Sequence, residues 1–128
     1  MNNDQSIKIL VIDDNDILRE YIRFVLESNG YSVDESADGN EGLSRFSANK
    51  YAVVITDMVM PGKDGYETIH ALKILNPDIH IIAMSGMDMH DHLYETTNIF
   101  KADAMLTKPF TGKELLEAIK QVQAPCRK

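Results

Sequence analysis

The chain has 128 residues, 44% apolar and 26% charged, which suits one core burying about two-thirds of the unfolded surface and excludes disorder or a collagen-like repeat. Thirteen Lys and Arg against twenty Asp and Glu give a net charge of −7, so the overall field repels nucleic acid and anionic lipid. The single cysteine, Cys126, excludes an internal disulfide or a cysteine-built zinc site, and the longest apolar run, residues 51–55, falls far short of the roughly 20 residues of a membrane span.

The first run, Ile9-Leu10-Val11-Ile12, is unbroken and largely β-branched, the pattern of a strand buried on both faces, and it closes on Asp13-Asp14. Ile17, Leu18, Tyr21, Ile22, Val25 and Leu26 then recur at helical spacing until Gly30, which predicts an amphipathic helix with a glycine stop. Tyr31 to Glu35 alternates and fits an edge strand. Leu43 with Phe46 marks a second helix, and Ala52-Val53-Val54-Ile55 a second buried strand that leads to Asp57. Ile69, Leu72 and Leu75 mark a third helix, stopped by Asn76-Pro77.

The run Ile79 to Met84, interrupted by His80, predicts a fourth strand that leads to Ser85-Gly86. A helix is expected between Met87 and Phe100, weakened by Thr96, Thr97 and Asn98. Ala104-Met105-Leu106 reads as a last strand buried on both faces, before Lys108-Pro109. Thr111-Gly112-Lys113-Glu114 matches a capping box, and Leu115, Leu116, Ile119 and Val122 form the stripe of a final helix.

Strand starts near residues 8, 32, 52, 80 and 104 leave room for one crossover helix each, and right-handed crossovers then give a doubly wound α/β fold with helices on both sides of five parallel strands. The expectation is one domain over 1–128, its core at about 7–123, with five helices. Ligands of such sheets bind beyond the carboxyl ends of the strands, where the order reverses. Asp13-Asp14, Asp57, Ser85 and Lys108 are expected just beyond those ends, and a flavodoxin-like order 2-1-3-4-5 would converge them.

Three carboxylates gathered so closely repel unless a pKa rises or a cation binds. A hard divalent ion such as Mg²⁺ suits oxygen ligands and leaves room for phosphate oxygens, while Ser85 and Lys108 face the acidic cluster from the other side. Asp57, ending a central strand, is the candidate nucleophile toward phosphorus.

The stretches LVIDDN, VVITDMVMPGKDG, IIAMSG and MLTKPF, in this order and spacing, resemble the response-regulator receiver domain of two-component signalling over essentially the whole chain. The resemblance implies that Asp57 accepts a phosphoryl group from a sensor histidine kinase or a histidine phosphotransfer protein. It further implies that Asp14 and Asp57 bind Mg²⁺ directly, Asp13 through water, and Val59 by its backbone carbonyl. Lys108 would pair with the phosphoryl oxygens, Ser85 would bond to them as the switch engages, Gly86 would keep the pocket open, and the bond between Lys108 and Pro109 would be cis. Self-catalysed phosphorylation, slow autodephosphorylation and a switching protein-binding face for an unknown target would follow. Two positions depart from the pattern: Met105 replaces the usual aromatic, and Lys101 the usual glycine.

Blander readings exist for each residue. Asp13-Asp14 alone could merely cap a helix, and His90 and His92, two apart, diverge on a helix as solvated surface. Asp38-Gly39-Asn40-Glu41-Gly42 lacks the lysine and spacing of a phosphate loop. A haloacid dehalogenase-type phosphatase would need a second Asp where Val59 stands. A receiver cut from a hybrid kinase or transcription factor would share the chemistry, although the Met1 start and short tail lead us to expect a stand-alone chain. The polar residues 1–5 lack a signal-peptide layout, so the expected location is cytoplasmic, with no direct contact to nucleic acid or membrane.

Overall fold

The computed structural model describes residues 7–58, 65–86 and 102–123. Five strands, β1 (Lys8–Ile12), β2 (Ser32–Ser36), β3 (Val53–Asp57), β4 (His80–Gly86) and β5 (Ala104–Lys108), form one parallel sheet in the order β2-β1-β3-β4-β5. Four helices are described, α1 (Asp16–Glu27), α2 (Gly39–Ala48), α3 (Gly65–Leu75) and α4 (Gly112–Gln123). The expected helix between Met87 and Phe100 lies outside the described residues, as do Lys101, His90, His92 and Cys126.

Local chemistry explains the helix starts. Asn15 caps α1 by accepting from the Leu18 amide at 3.1 Å. Asp38 accepts from the Glu41 amide at 2.8 Å while Glu41 accepts from the Ala37 amide at 3.0 Å. The predicted capping box of α4 forms reciprocally: the Glu114 amide donates to Thr111 at 3.1 Å and the Thr111 amide to Glu114 at 2.9 Å. Beyond α1, Gly30 adopts φ 92°, a left-handed conformation that costs glycine little, and the Tyr31 amide closes onto the Leu26 carbonyl.

Strand side chains alternate between two apolar layers. Ile9, Val11, Val33, Val53, Ile55, Ile82, Met84 and Leu106 pack with Ile22 and Leu26 of α1 and with Leu115 and Ile119 of α4. Leu10, Ile12, Val54, Ile81 and Ala83 pack on the opposite face with Phe46 of α2 and with Ile69 and Leu72 of α3. Each fully buried Ile, Leu or Val contributes about 1.5–3 kcal/mol over leaving it exposed, and the two layers hold the sheet's carboxyl edge rigidly.

Two expectations need correction. β5 is not buried on both faces: only Leu106 is buried and the other four residues are intermediate, as suits the edge position that the order 2-1-3-4-5 gives it. Strands β3, β4 and β5 also extend past their apolar runs. Backbone pairing continues through Asp57↔Met84, Ser85↔Thr107 and Gly86↔Lys108, so Asp57, Ser85 and Lys108 sit within the strand ends, whereas only Asp13 and Asp14 stand beyond theirs.

Candidate functional site

At the carboxyl edge, β1 and β3 are neighbours at the point where strand order reverses. This brings one ligand oxygen each from Asp13, Asp14 and Asp57 within 4.8 Å of one another. Asp13 and Asp57 are buried, whereas Asp14 is exposed at the rim. Lys108 reaches in from β5 and places Nζ 3.3 Å from Asp13 Oδ2 and 3.3 Å from Asp57 Oδ1.

The supporting bonds fix the acidic residues from the backbone outward. The Asp13 amide donates to the Ser36 carbonyl at 3.1 Å, and the Asn15 amide donates to Asp13 Oδ1 at 2.8 Å. Arg19 of α1 donates to the Asp13 carbonyl at 2.6 Å. Just after β3, the Met58 amide donates to the Met84 carbonyl at 3.0 Å, carrying the sheet pairing past Asp57. Ser85, wholly buried on β4, has a hydroxyl with no hydrogen-bond partner among the described residues. The bond between Lys108 and Pro109 is cis.

By formal charge, three carboxylates against one ammonium leave a local excess of two negative charges. Oxygen-only donors with that excess fit a hard divalent cation, and Asp13, Asp14 and Asp57 are the residues that could hold it. Val59 lies outside the described residues. Asp13, Asp14, Asp57 and Lys108 are thus brought together and Ser85 lies at the end of the intervening strand. The role of Arg19 was not visible in the sequence, because nothing in its surroundings signals that a helical arginine bonds a strand-end carbonyl six residues earlier.

The model of the response regulator receiver domain matches residues 9–120. The transcriptional regulatory protein RprY of Bacteroides fragilis is 32% identical over 93% of this chain and 50% of its own length, and this chain spans about half the length of the curated relatives it matches. A response regulator receiver domain protein from Clostridium thermocellum superposes with a TM-score of 0.83 at 34% identity, covering 91% of this chain and 93% of that one. The response regulator TrrA of Thermotoga maritima, solved in complex with Mg²⁺ and BeF, gives 0.82 at 31% identity, with 91% and 98% covered.

Proposed function

Because the chain belongs to the response regulator receiver domain family, we propose that it is a phosphorylation switch in which Asp57 takes a phosphoryl group from a phosphohistidine. The observation that carries this reading is the buried Asp57 carboxylate at the end of β3, grouped with Asp13 and Asp14 and held 3.3 Å from the Lys108 ammonium. A carboxylate so placed has a cation on one side and an acidic cluster on the other, which suits in-line attack on a phosphoryl group whose charge must be met from several directions.

An Asp57 oxygen forms the new bond to phosphorus, the bond from phosphorus to the donor imidazole breaks, and that imidazole leaves. Lys108 already lies beside the acceptor and can turn from the Asp13 and Asp57 carboxylates to the arriving phosphoryl oxygens. The Ser85 hydroxyl, which has no partner among the described residues, is a further donor for them. Asp14 and Asp57 would hold Mg²⁺ directly, Asp13 through water and Val59 by its carbonyl; the ion supplies positive charge against the phosphoryl oxygens when bound. Water attacking the acyl phosphate in the same setting gives slow self-dephosphorylation.

The donor we propose is a sensor histidine kinase or a histidine phosphotransfer protein, and the location the cytoplasm. The responding face would include β5 and α4, with Met105 in place of an aromatic. The half-length match to the transcriptional regulatory protein RprY also favours a second reading, the receiver part of a longer regulator with separate output. The net charge of −7 keeps nucleic-acid contact away from this domain in either case.

Incubation with acetyl phosphate and Mg²⁺ should add one phosphoryl mass to the intact chain, and Asp57→Asn should abolish it. Undiminished labelling of that variant would overturn the assignment.

A further inference from the structure

Arg19 lies in the first turn of α1 with its side chain only 14% exposed, and its guanidinium serves three acceptors. Nη1 donates to the Asp13 carbonyl at 2.6 Å, Nη2 to Asp16 Oδ1 at 2.6 Å, and Nε to Glu35 Oε1 at 3.0 Å. That carbonyl belongs to the peptide joining Asp13 to Asp14, so its direction sets the direction in which Asp14 leaves the strand end. The Asp13 amide is tied to Ser36 of β2 and the carbonyl, through Arg19, to Glu35 of the same strand. Glu35 is held in turn by Arg23 Nη1 at 2.9 Å. A planar guanidinium can meet three fixed acceptors at once, which a single ammonium cannot.

Asp14 is exposed at the rim, so its aim depends on the backbone that carries it. We propose that Arg19 is a positioning residue for the cation site: its bond to the Asp13 carbonyl orients the peptide between Asp13 and Asp14, and so directs the Asp14 carboxylate toward the ion, with Glu35 fixing the guanidinium. The inference rests on the reading of Asp14 as a ligand. Charge alone predicts the opposite effect of losing Arg19, because removing a nearby cation should tighten the binding of another.

The test is titration with Mg²⁺ alone, without a phosphodonor. Arg19→Met keeps the apolar stem and removes every donor; its affinity should fall about 10-fold, the lower end for partners that orient metal ligands. Arg19→Lys should lie between that variant and wild type. Arg23→Met loosens Glu35 without touching Asp13 and should weaken binding less than Arg19→Met does. Asp14→Ala should lose most of the binding. If Asp14→Ala binds as wild type, both the ligand assignment and the positioning role fall. If Asp14→Ala is impaired and Arg19→Met binds as well as wild type or better, the positioning role alone falls. Should Arg19→Met fail to fold, Arg19→Lys decides, and wild-type affinity in it overturns the proposal.

Discussion

Lys108 Nζ stands 3.3 Å from Asp57 Oδ1, although the two residues end strands that are not neighbours, β5 and β3. The same atom is 3.3 Å from Asp13 Oδ2, so one ammonium is shared between two buried carboxylates and leaves them undercompensated. We therefore expect Lys108 to contribute to stability as well as to serve as the proposed phosphoryl partner, and a divalent cation would take over part of that work.

Lys108→Met should lower stability in the absence of divalent ions. Removing one partner of a fully buried pair costs about 3–5 kcal/mol; Lys108 is 27% exposed, so roughly 2 kcal/mol is expected. Saturating Mg²⁺ should raise the melting temperature of the variant more than that of wild type, since the uncompensated charge is larger. Thermal melts with and without the ion decide this, and an equal Mg²⁺ increment in both proteins would count against the shared-counterion role.

Ser85 makes a prediction of opposite sign. A buried hydroxyl costs free energy when it lacks a partner, and Ser85 has none among the described residues, so Ser85→Ala should leave the unmodified protein unchanged or more stable by up to about 1 kcal/mol. The gain in melting temperature on treatment with acetyl phosphate and Mg²⁺ should be smaller in the variant, because the phosphoryl oxygens lose a donor. A gain equal to that of wild type would remove Ser85 from the set of phosphoryl partners.

The ends of the apolar runs were legible because such a run must stop where a polar residue is tolerated, and Asp13 and Ser85 follow their runs directly while Asp57 and Lys108 follow one threonine later. Their convergence needed only the strand order. What stayed hidden depended on pairing at long range. Lys108 was expected to face the acidic cluster, yet its equal distance to Asp13 and Asp57 follows from side-chain reach across β4. Arg19 meets Glu35 only because β2 lies beside β1, 16 residues away along the chain. The partial exposure of β5 was missed, although the expected order already put it at an edge, because Ala104-Met105-Leu106 is too short for alternation to distinguish one buried face from two.

Acid should loosen the β2 side of the site. Burial pushes the Glu35 carboxyl up, but hydrogen bonds from Arg23 and Arg19 outweigh it and leave the group below its ordinary value. Asp34 is lowered too, chiefly by the Tyr51 hydroxyl that donates to it at 2.6 Å. A carboxylate lowered on folding stabilises in full above its unfolded value, about 4, and loses that contribution as pH falls through the lower folded value. Glu35→Gln should therefore cost about 1–2 kcal/mol at neutral pH, between an exposed and a buried pair. In urea unfolding, the gap to wild type should narrow as pH is taken downward from about 4. A gap that ignores pH would assign Glu35 a packing role only.

Helix α2 packs tightly at Gly42 against β1, the strand that leads into the acidic pair. A Cβ there would lie 2.4 Å from Ile12 Cδ1 and 2.8 Å from its Cγ1, and Ile12 is wholly buried and directly precedes Asp13. Gly42→Ala should gain about 1 kcal/mol of helix propensity but lose roughly 1–3 kcal/mol to overpacking, for a net loss near 1 kcal/mol. Ile12→Val removes the Cδ1 methyl nearest the new Cβ and alone should cost about 0.5–1.5 kcal/mol. The double variant should then be more stable than the sum of the two losses implies, by about 1 kcal/mol, because the shortened side chain accommodates the alanine. Urea unfolding of the four proteins in the cycle measures this directly. Strict additivity would mean that α2 shifts as a unit to admit the methyl, leaving Ile12, and with it the start of the Asp13-Asp14 turn, where it was.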